Sequence, residues 1–70
     1  MDRRYTMSDA RKLAHLTQKQ MAERMGVSTP TVCFWETGKR DIRAKDLDRY
    51  LEIVGMTRND IILPYESTIS

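Results

Sequence analysis

The stretch that most constrains the fold runs from Thr17 to Glu36, with the sequence TQKQMAERMGVSTPTVCFWE. Met21, Ala22 and Met25 follow the i, i+1, i+4 spacing of one apolar helix face. Gly26 comes directly afterwards, and a residue without a β-carbon easily takes the left-handed conformation that ends a helix. The stretch therefore predicts a short helix that stops at a tight turn.

A second helix is predicted immediately after this turn. Ser28 is a candidate N-cap, and Pro30 falls in the first helical turn, where its missing N–H does no harm. Val32 and Trp35 form an inward stripe, and Gly38 provides the next stop. Two short helices joined by a glycine turn form a helix-turn-helix.

The residues of this stretch and its surroundings resemble a known family. The pattern comprises LTQ at Leu16–Gln18, MA at Met21–Ala22, MGVS at Met25–Ser28, TV at Thr31–Val32 and WETGKR at Trp35–Arg40. It resembles the phage Cro/repressor type of helix-turn-helix domain (the XRE family), and the similarity extends from Ala10–Arg11 to Gly55. The resemblance implies an all-α, compact five-helix, repressor-like DNA-binding domain in which helices 2 and 3 form the helix-turn-helix.

Helix 1 is predicted to start near Met7 and to end near residues 14–15. Ala10, Leu13 and Ala14 form its expected inner face. His15 follows, and histidine tolerates a left-handed turn conformation better than most residues. His15 has no partner for general-base chemistry in the sequence, so we interpret it as a turn residue.

Helices 4 and 5 are predicted from apolar spacing and stop signals. Helix 4 should run from about Ala44 to Val54, with Leu47, Tyr50 and Leu51 on its inner stripe. Thr57 should cap a short fifth helix, which Pro64 closes because a helix rarely continues through proline.

Length and composition exclude several classes of protein. Seventy residues support one domain over 1–70, with a flexible start at 1–5 and a short tail at 64–70. One cysteine excludes an internal disulfide, and no His/Cys cluster predicts a metal site. The longest apolar run, Val32 to Trp35, is far shorter than the ~20 residues that cross a bilayer. We expect a cytoplasmic (nucleoid-associated) protein with no cofactor, no membrane association and no small-molecule substrate.

The net charge of +2 conceals an asymmetry. Residues 1–45 hold ten Lys or Arg against five acidic residues, giving +5, whereas residues 46–70 hold two against five, giving −3. A basic front half is typical of a domain that presents one face to phosphates. The chain has no activated nucleophile, paired carboxylates or glycine-rich phosphate loop, so we do not expect an enzyme.

The outward face of helix 3 determines how DNA bases could be contacted. By resemblance, Thr29, Pro30 and Phe34 occupy the base-contacting positions. No Arg, Lys, Asn or Gln lies between Ser28 and Glu36, so no bidentate base contact is available. Thr29 can hydrogen-bond or touch a thymine methyl, while Pro30 and Phe34 can make only apolar contacts. Part of any specificity should then come from DNA shape. Because Trp35 takes the inward position, Phe34 is expected to be exposed and to face a partner.

Phosphate contacts are expected from both ends of the helix-turn-helix. The resemblance assigns backbone contact to Gln18 at the start of helix 2, where free N–H groups are also available. Ser28 and Thr31 are likewise placed for phosphates. A basic loop that would add salt-sensitive affinity contains Lys39, Arg40 and Arg43.

The resemblance also implies a structural ion pair between Arg11 in helix 1 and Glu36 at the end of helix 3. Such a pair would be partly buried and would fix helix 3 against helix 1. Removal of either partner would leave an uncompensated charge.

Two functions remain open from the sequence. The first is a DNA-binding transcriptional regulator, a small phage-type repressor that binds double-stranded DNA as two copies on half-sites one helical turn apart. The alternative is a protein-interaction module on the same fold, such as a phage antirepressor or modulator. It would bind a partner repressor through the apolar face formed by Pro30, Cys33 and Phe34.

Overall fold

The computed structural model describes residues 4–67, so residues 1–3 of the predicted flexible start and 68–70 of the predicted tail lie outside it. The elements in chain order are β1 (Tyr5–Thr6), α1 (Met7–Leu13), α2 (Gln18–Met25), α3 (Thr29–Thr37), α4 (Ala44–Val54), a 3₁₀ turn (Arg58–Asp60), β2 (Ile61–Ile62) and α5 (Pro64–Ser67). The described chain is therefore mostly helical, and α1 to α4 form its body.

Side-chain caps and left-handed residues set the ends of the helices. Thr6 Oγ1 accepts a hydrogen bond from the Asp9 N–H at 3.0 Å at the start of α1. Thr17 and Gln20 form a reciprocal capping box at the start of α2, with bonds of 2.9 and 3.0 Å. His15 has a φ of +61°, the left-handed conformation that the sequence predicted for it.

The core lies between the four longer helices and the β2 segment. Its buried apolar residues are Met7, Ala10, Met21, Ala22, Val32, Trp35, Leu47, Tyr50, Leu51, Ile61 and Leu63. Every helix from α1 to α4 contributes to this set. Burial of these side chains is the main driving force that holds α3 in place.

Leu13, which was predicted to face inward, is instead 56% exposed. The buried residues of α1 are Met7, Ala10 and Arg11, and Leu13 lies roughly 120° around the helix axis from Met7. The prediction was wrong because a charged residue, Arg11, takes the inward position beside Met7 and Ala10.

The predicted fifth helix is not formed between Thr57 and Pro64. This segment folds as one 3₁₀ turn followed by β2, which pairs in parallel with β1, Tyr5 opposite Ile61 and Thr6 opposite Ile62. The β-branched Ile61 and Ile62 favour extended backbone, and the pairing leaves the Ile61 side chain completely buried. The compact, mostly helical fold agrees with the all-α prediction, but the predicted number of helices was wrong for this segment. Tyr5, which was predicted to belong to the flexible start, lies in β1.

Pro64 begins α5 instead of ending a helix, because proline is well accommodated at the first helical position. The short α5 packs against the end of α3. Gly38 stands at this contact with a φ of +83°, and a β-carbon added to it would lie 2.9 Å from the Pro64 Cβ. Only glycine satisfies both the backbone conformation and the space available there.

Candidate nucleic-acid interface

The turn between α2 and α3 is built around Gly26 and Ser28. Gly26 has a φ of +71°, and the Val27 N–H donates to the Ala22 carbonyl at 3.0 Å. Ser28 Oγ then accepts from the Thr31 N–H at 3.3 Å and starts α3. α3 consequently buries Val32 and Trp35 against the core and leaves its first turn at the surface.

The three predicted base-contacting residues differ in exposure. Thr29 and Pro30 are exposed in the first turn of α3, directly after the loop that joins α2 to α3. Phe34, which was expected to be exposed, is half-buried. Its ring is covered by two basic side chains, with Lys39 Nζ 6.0 Å and Arg40 Cζ 5.6 Å from the ring centroid.

The basic loop folds back on α3 after the left-handed Gly38. The Arg40 N–H donates to the Phe34 carbonyl at 3.2 Å and closes this turn. Lys39 and Arg40 are both exposed to solvent, as is Arg43 at the N-cap of α4. The fold thus brings Phe34, Lys39 and Arg40 together in one group, which we call the Phe34 cluster.

The hydroxyls of Ser28 and Thr31 lie 2.7 Å apart and hydrogen-bond to each other. Ser28 is exposed and Thr31 is half-buried. Two hydroxyls carry two protons, and one of these is used in the bond between them. The pair can therefore still donate one hydrogen bond to an oxygen outside the protein.

The side chain of Gln18 contacts Glu36 at the end of α3. Gln18 Nε2 donates to Glu36 Oε1 at 3.1 Å. An amide nitrogen has two hydrogens, so one N–H remains for another acceptor. Gln18 therefore connects the start of α2 directly to the end of α3.

Arg11 and Glu36, the pair implied by the resemblance, form a two-pronged ion pair. Arg11 Nε lies 2.8 Å from Glu36 Oε2, and Arg11 Nη2 lies 3.2 Å from Oε1. The side chains are only 8% and 3% exposed, and Arg11 Nη1 also donates to the Leu16 carbonyl at 2.8 Å. The hydrogen bond to Glu36 raises the pKa of the Arg11 guanidinium above its usual value. Helices α1 and α3 are joined through this pair.

Tyr50 of α4 completes the arrangement through its hydroxyl, for which no role was predicted. The side chain is fully buried, with its hydroxyl oxygen 2.8 Å from Glu36 Oε2 and 2.9 Å from the Met7 carbonyl. Burial raises the pKa of the Tyr50 phenol, and the charge of Glu36 raises it further. A buried tyrosine normally places its hydroxyl against a partner. The position of Tyr50 on the inner stripe of α4 could therefore have predicted a hydrogen-bond partner for its hydroxyl.

Glu36 is thus the centre of a buried polar network that joins four helices. Its carboxylate accepts hydrogen bonds from Arg11 of α1 and Gln18 of α2 and is contacted by Tyr50 of α4. No buried side-chain nitrogen or oxygen atom among the described residues lacks a hydrogen-bond partner. A fully satisfied network of this kind gives the end of α3 one defined position.

The fold and this surface define a helix-turn-helix domain with an exposed first turn on its second helix and a basic loop beside it. A family comparison matches residues 7–61 to the helix-turn-helix family HTH_3. The chain belongs to this family of DNA-binding regulatory domains, of the Cro/repressor (XRE) type. Searches of curated proteins and of solved structures found no significant match.

None of the helices between residues 4 and 67 is both long and apolar enough to span a membrane. In the same part of the chain, no group of three or more His, Cys, Asp or Glu residues could hold a metal ion.

Proposed function

We propose that this protein is a small transcriptional regulator, a phage-type repressor that inserts α3 into the major groove of double-stranded DNA. The observation that carries the proposal is the position of the Phe34 cluster. Two exposed cations, Lys39 and Arg40, lie on the ring of a residue of α3 itself. In a helix docked in the major groove, groups beside the helix meet the phosphates that border the groove.

The base contacts are assigned to Thr29, Pro30 and Phe34. Thr29 and Pro30 are exposed in the first turn of α3, the part of a recognition helix that approaches base edges. The Thr29 hydroxyl can hydrogen-bond to a base, and Pro30 and Phe34 can contact thymine methyl groups. DNA shape supplies the remaining selectivity.

The phosphate contacts are assigned to six residues in two groups. The polar group can still donate hydrogen bonds and comprises Gln18, Ser28 and Thr31. The basic group supplies charge and comprises Lys39, Arg40 and Arg43. The Arg11–Glu36 pair makes no DNA contact in this proposal, but it fixes the helix that does.

Two copies would bind half-sites one helical turn apart on the nucleoid DNA, the usual arrangement for domains of this kind. Such a homodimer forms on the DNA, where each copy inserts its own α3. The spacing of the half-sites then adds to the specificity of a helix that has few hydrogen-bonding groups for bases.

The proposal is tested by fluorescence anisotropy with a pool of duplexes from the DNA that flanks the gene, at several salt concentrations. The affinity should fall steeply as salt rises. The variant Lys39→Ala/Arg40→Ala should bind more weakly and reduce the slope of log K against log salt by roughly 2 for each copy bound. The matched control Lys12→Ala/Arg24→Ala removes two exposed charges from outside the proposed interface and should leave that slope unchanged. No binding by the wild type at low salt would refute the proposal.

The alternative is an antirepressor or modulator that binds a partner repressor through the same face. Its supporting observation is the exposure of Pro30 beside the half-buried Cys33 and Phe34. An apolar protein contact should change little with salt, whereas DNA binding should weaken. The cations over Phe34 favour DNA, because they place charge on the surface that such a partner would have to cover.

A further inference from the structure

Phe34 makes three contacts with the basic loop that its place on the base-facing side does not require. Its ring lies within 6.0 Å of Lys39 Nζ and 5.6 Å of Arg40 Cζ, and its carbonyl accepts the Arg40 N–H at 3.2 Å. We propose that Phe34 is a positioning residue, which holds Lys39 and Arg40 at the phosphates that border the groove occupied by α3. This inference rests on the proposed function and assigns part of its phosphate contact to an uncharged side chain.

The geometry of α3 makes Phe34 suitable for this role. The neighbouring Trp35 is 5% exposed and Val32 is fully buried, so the helix cannot rotate to move the Phe34 ring elsewhere. An aromatic face attracts a cation within about 6 Å of its centroid, and both basic groups fall in that range. The ring therefore restrains two otherwise flexible side chains to positions beside the recognition helix.

The backbone of the same residue adds a second restraint. Gly38 reverses the chain with its left-handed φ of +83°, and the Arg40 N–H then meets the Phe34 carbonyl. The backbone bond fixes where the loop starts, and the ring fixes where its charged ends lie. A long charged side chain that is held before binding loses less conformational entropy when it meets a phosphate.

The inference predicts that removal of an uncharged ring lowers the salt dependence of DNA binding. In the proposed experiment, wild type, Phe34→Leu and Phe34→Tyr are titrated by anisotropy against a mixed-sequence duplex of about 20 base pairs, two helical turns, at several salt concentrations. Leucine keeps an apolar side chain for base contact but has no aromatic face, whereas tyrosine keeps the ring. Phe34→Leu should reduce the slope of log K against log salt by roughly 1 to 2, and Phe34→Tyr should retain the wild-type slope.

A triple substitution distinguishes a positioning role of Phe34 from a loss of direct contact between Phe34 and DNA. If Phe34 acts through the two cations, Phe34→Leu should not reduce the slope further in the Lys39→Ala/Arg40→Ala background. An equal slope for wild type and Phe34→Leu would overturn the inference, even if the sequence preference of Phe34→Leu changed. A wild type that does not bind DNA at low salt would instead refute the proposed function itself.

A measurement on the wild type keeps the inference testable if Phe34→Leu does not fold. Protons held over an aromatic face have upfield-shifted NMR signals. The side-chain methylene signals of Lys39 and Arg40 should therefore lie upfield of their positions in unstructured peptides. Signals at the unstructured positions would overturn the inference without any variant.

Discussion

Substitution of Tyr50 by phenylalanine tests whether the network around Glu36 holds α3 in place. The change removes a single oxygen atom from a fully buried ring that otherwise keeps its shape. That oxygen lies 2.8 Å from Glu36 Oε2 and 2.9 Å from the Met7 carbonyl. A hydroxyl has only one proton, so the substitution removes one hydrogen bond that the two acceptors share.

The expected loss of stability in Tyr50→Phe follows from the charge of Glu36. A hydrogen bond to a charged group contributes about 1.5–3 kcal/mol to the free energy of unfolding. Glu36 keeps Arg11 and Gln18 as donors, so the effect should stay within that range. Total stability for a domain of this size is roughly 4–10 kcal/mol, so Tyr50→Phe should remove a large share of it.

The assay is urea unfolding followed by far-UV circular dichroism and by the fluorescence of Trp35, the single tryptophan of the chain. Tyr5→Phe is the matched control, because Tyr5 is 43% exposed and its substitution should change stability by less than about 0.5 kcal/mol. The midpoint for Tyr50→Phe should fall well below that of the control. Equal midpoints for the two variants would refute the argument that the Tyr50 hydroxyl stabilises the carboxylate at the end of α3.

Two further predictions concern the turn after α3 and the turn before β2. Gly38→Ala should lower the free energy of unfolding by about 1–3 kcal/mol more than Gly55→Ala in urea titrations, since both glycines have positive φ but only the new β-carbon at Gly38 meets Pro64; equal losses would contradict the close approach. Hydrogen bonds from the N–H and hydroxyl of Thr57 lower the pKa of the Asp60 carboxyl below its usual value. A carboxyl with a lowered pKa in the folded state stabilises the protein above its unfolded pKa, and that stabilisation is lost as the pH falls through the folded pKa. Wild type should therefore be more stable than Asp60→Asn near neutral pH, and the difference should shrink below about pH 4; a difference that is independent of pH would contradict this assignment.

The helices that carry the candidate site follow from local signals in the sequence. Gln18 to Met25 has a capping box before it and a glycine after it, and the structure begins and ends α2 at these residues. Ala44–Val54 has a clear apolar stripe, and α4 has the same bounds. Caps, glycines and helical spacing act within a few residues of each other, so a single sequence contains the information.

The remaining features depend on contacts between distant residues. Arg11 is an ordinary charged helix residue until Glu36 is placed beside it, and Leu13 is then left outside the core. Ile61 lies in a segment that local signals assign to a helix, and its pairing with Tyr5 determines that it is a strand. The covering of Phe34 likewise depends on how far the loop folds back after α3. None of these contacts has a local sequence signal.

The parallel pairing of β1 with β2 makes nearly the whole domain a closed loop. Tyr5 and Ile61 are neighbours in space, so the helix-turn-helix lies inside a ring of the chain that the two strands join. Closing a loop of this length costs about 3.5 kcal/mol of chain entropy. Both residues of β1 are exposed and bury little apolar surface, whereas Met7, which follows β1, and Ile61 of β2 are almost completely buried. These two side chains, rather than the strand hydrogen bonds, therefore offset most of the entropy cost and keep the two ends of the domain together.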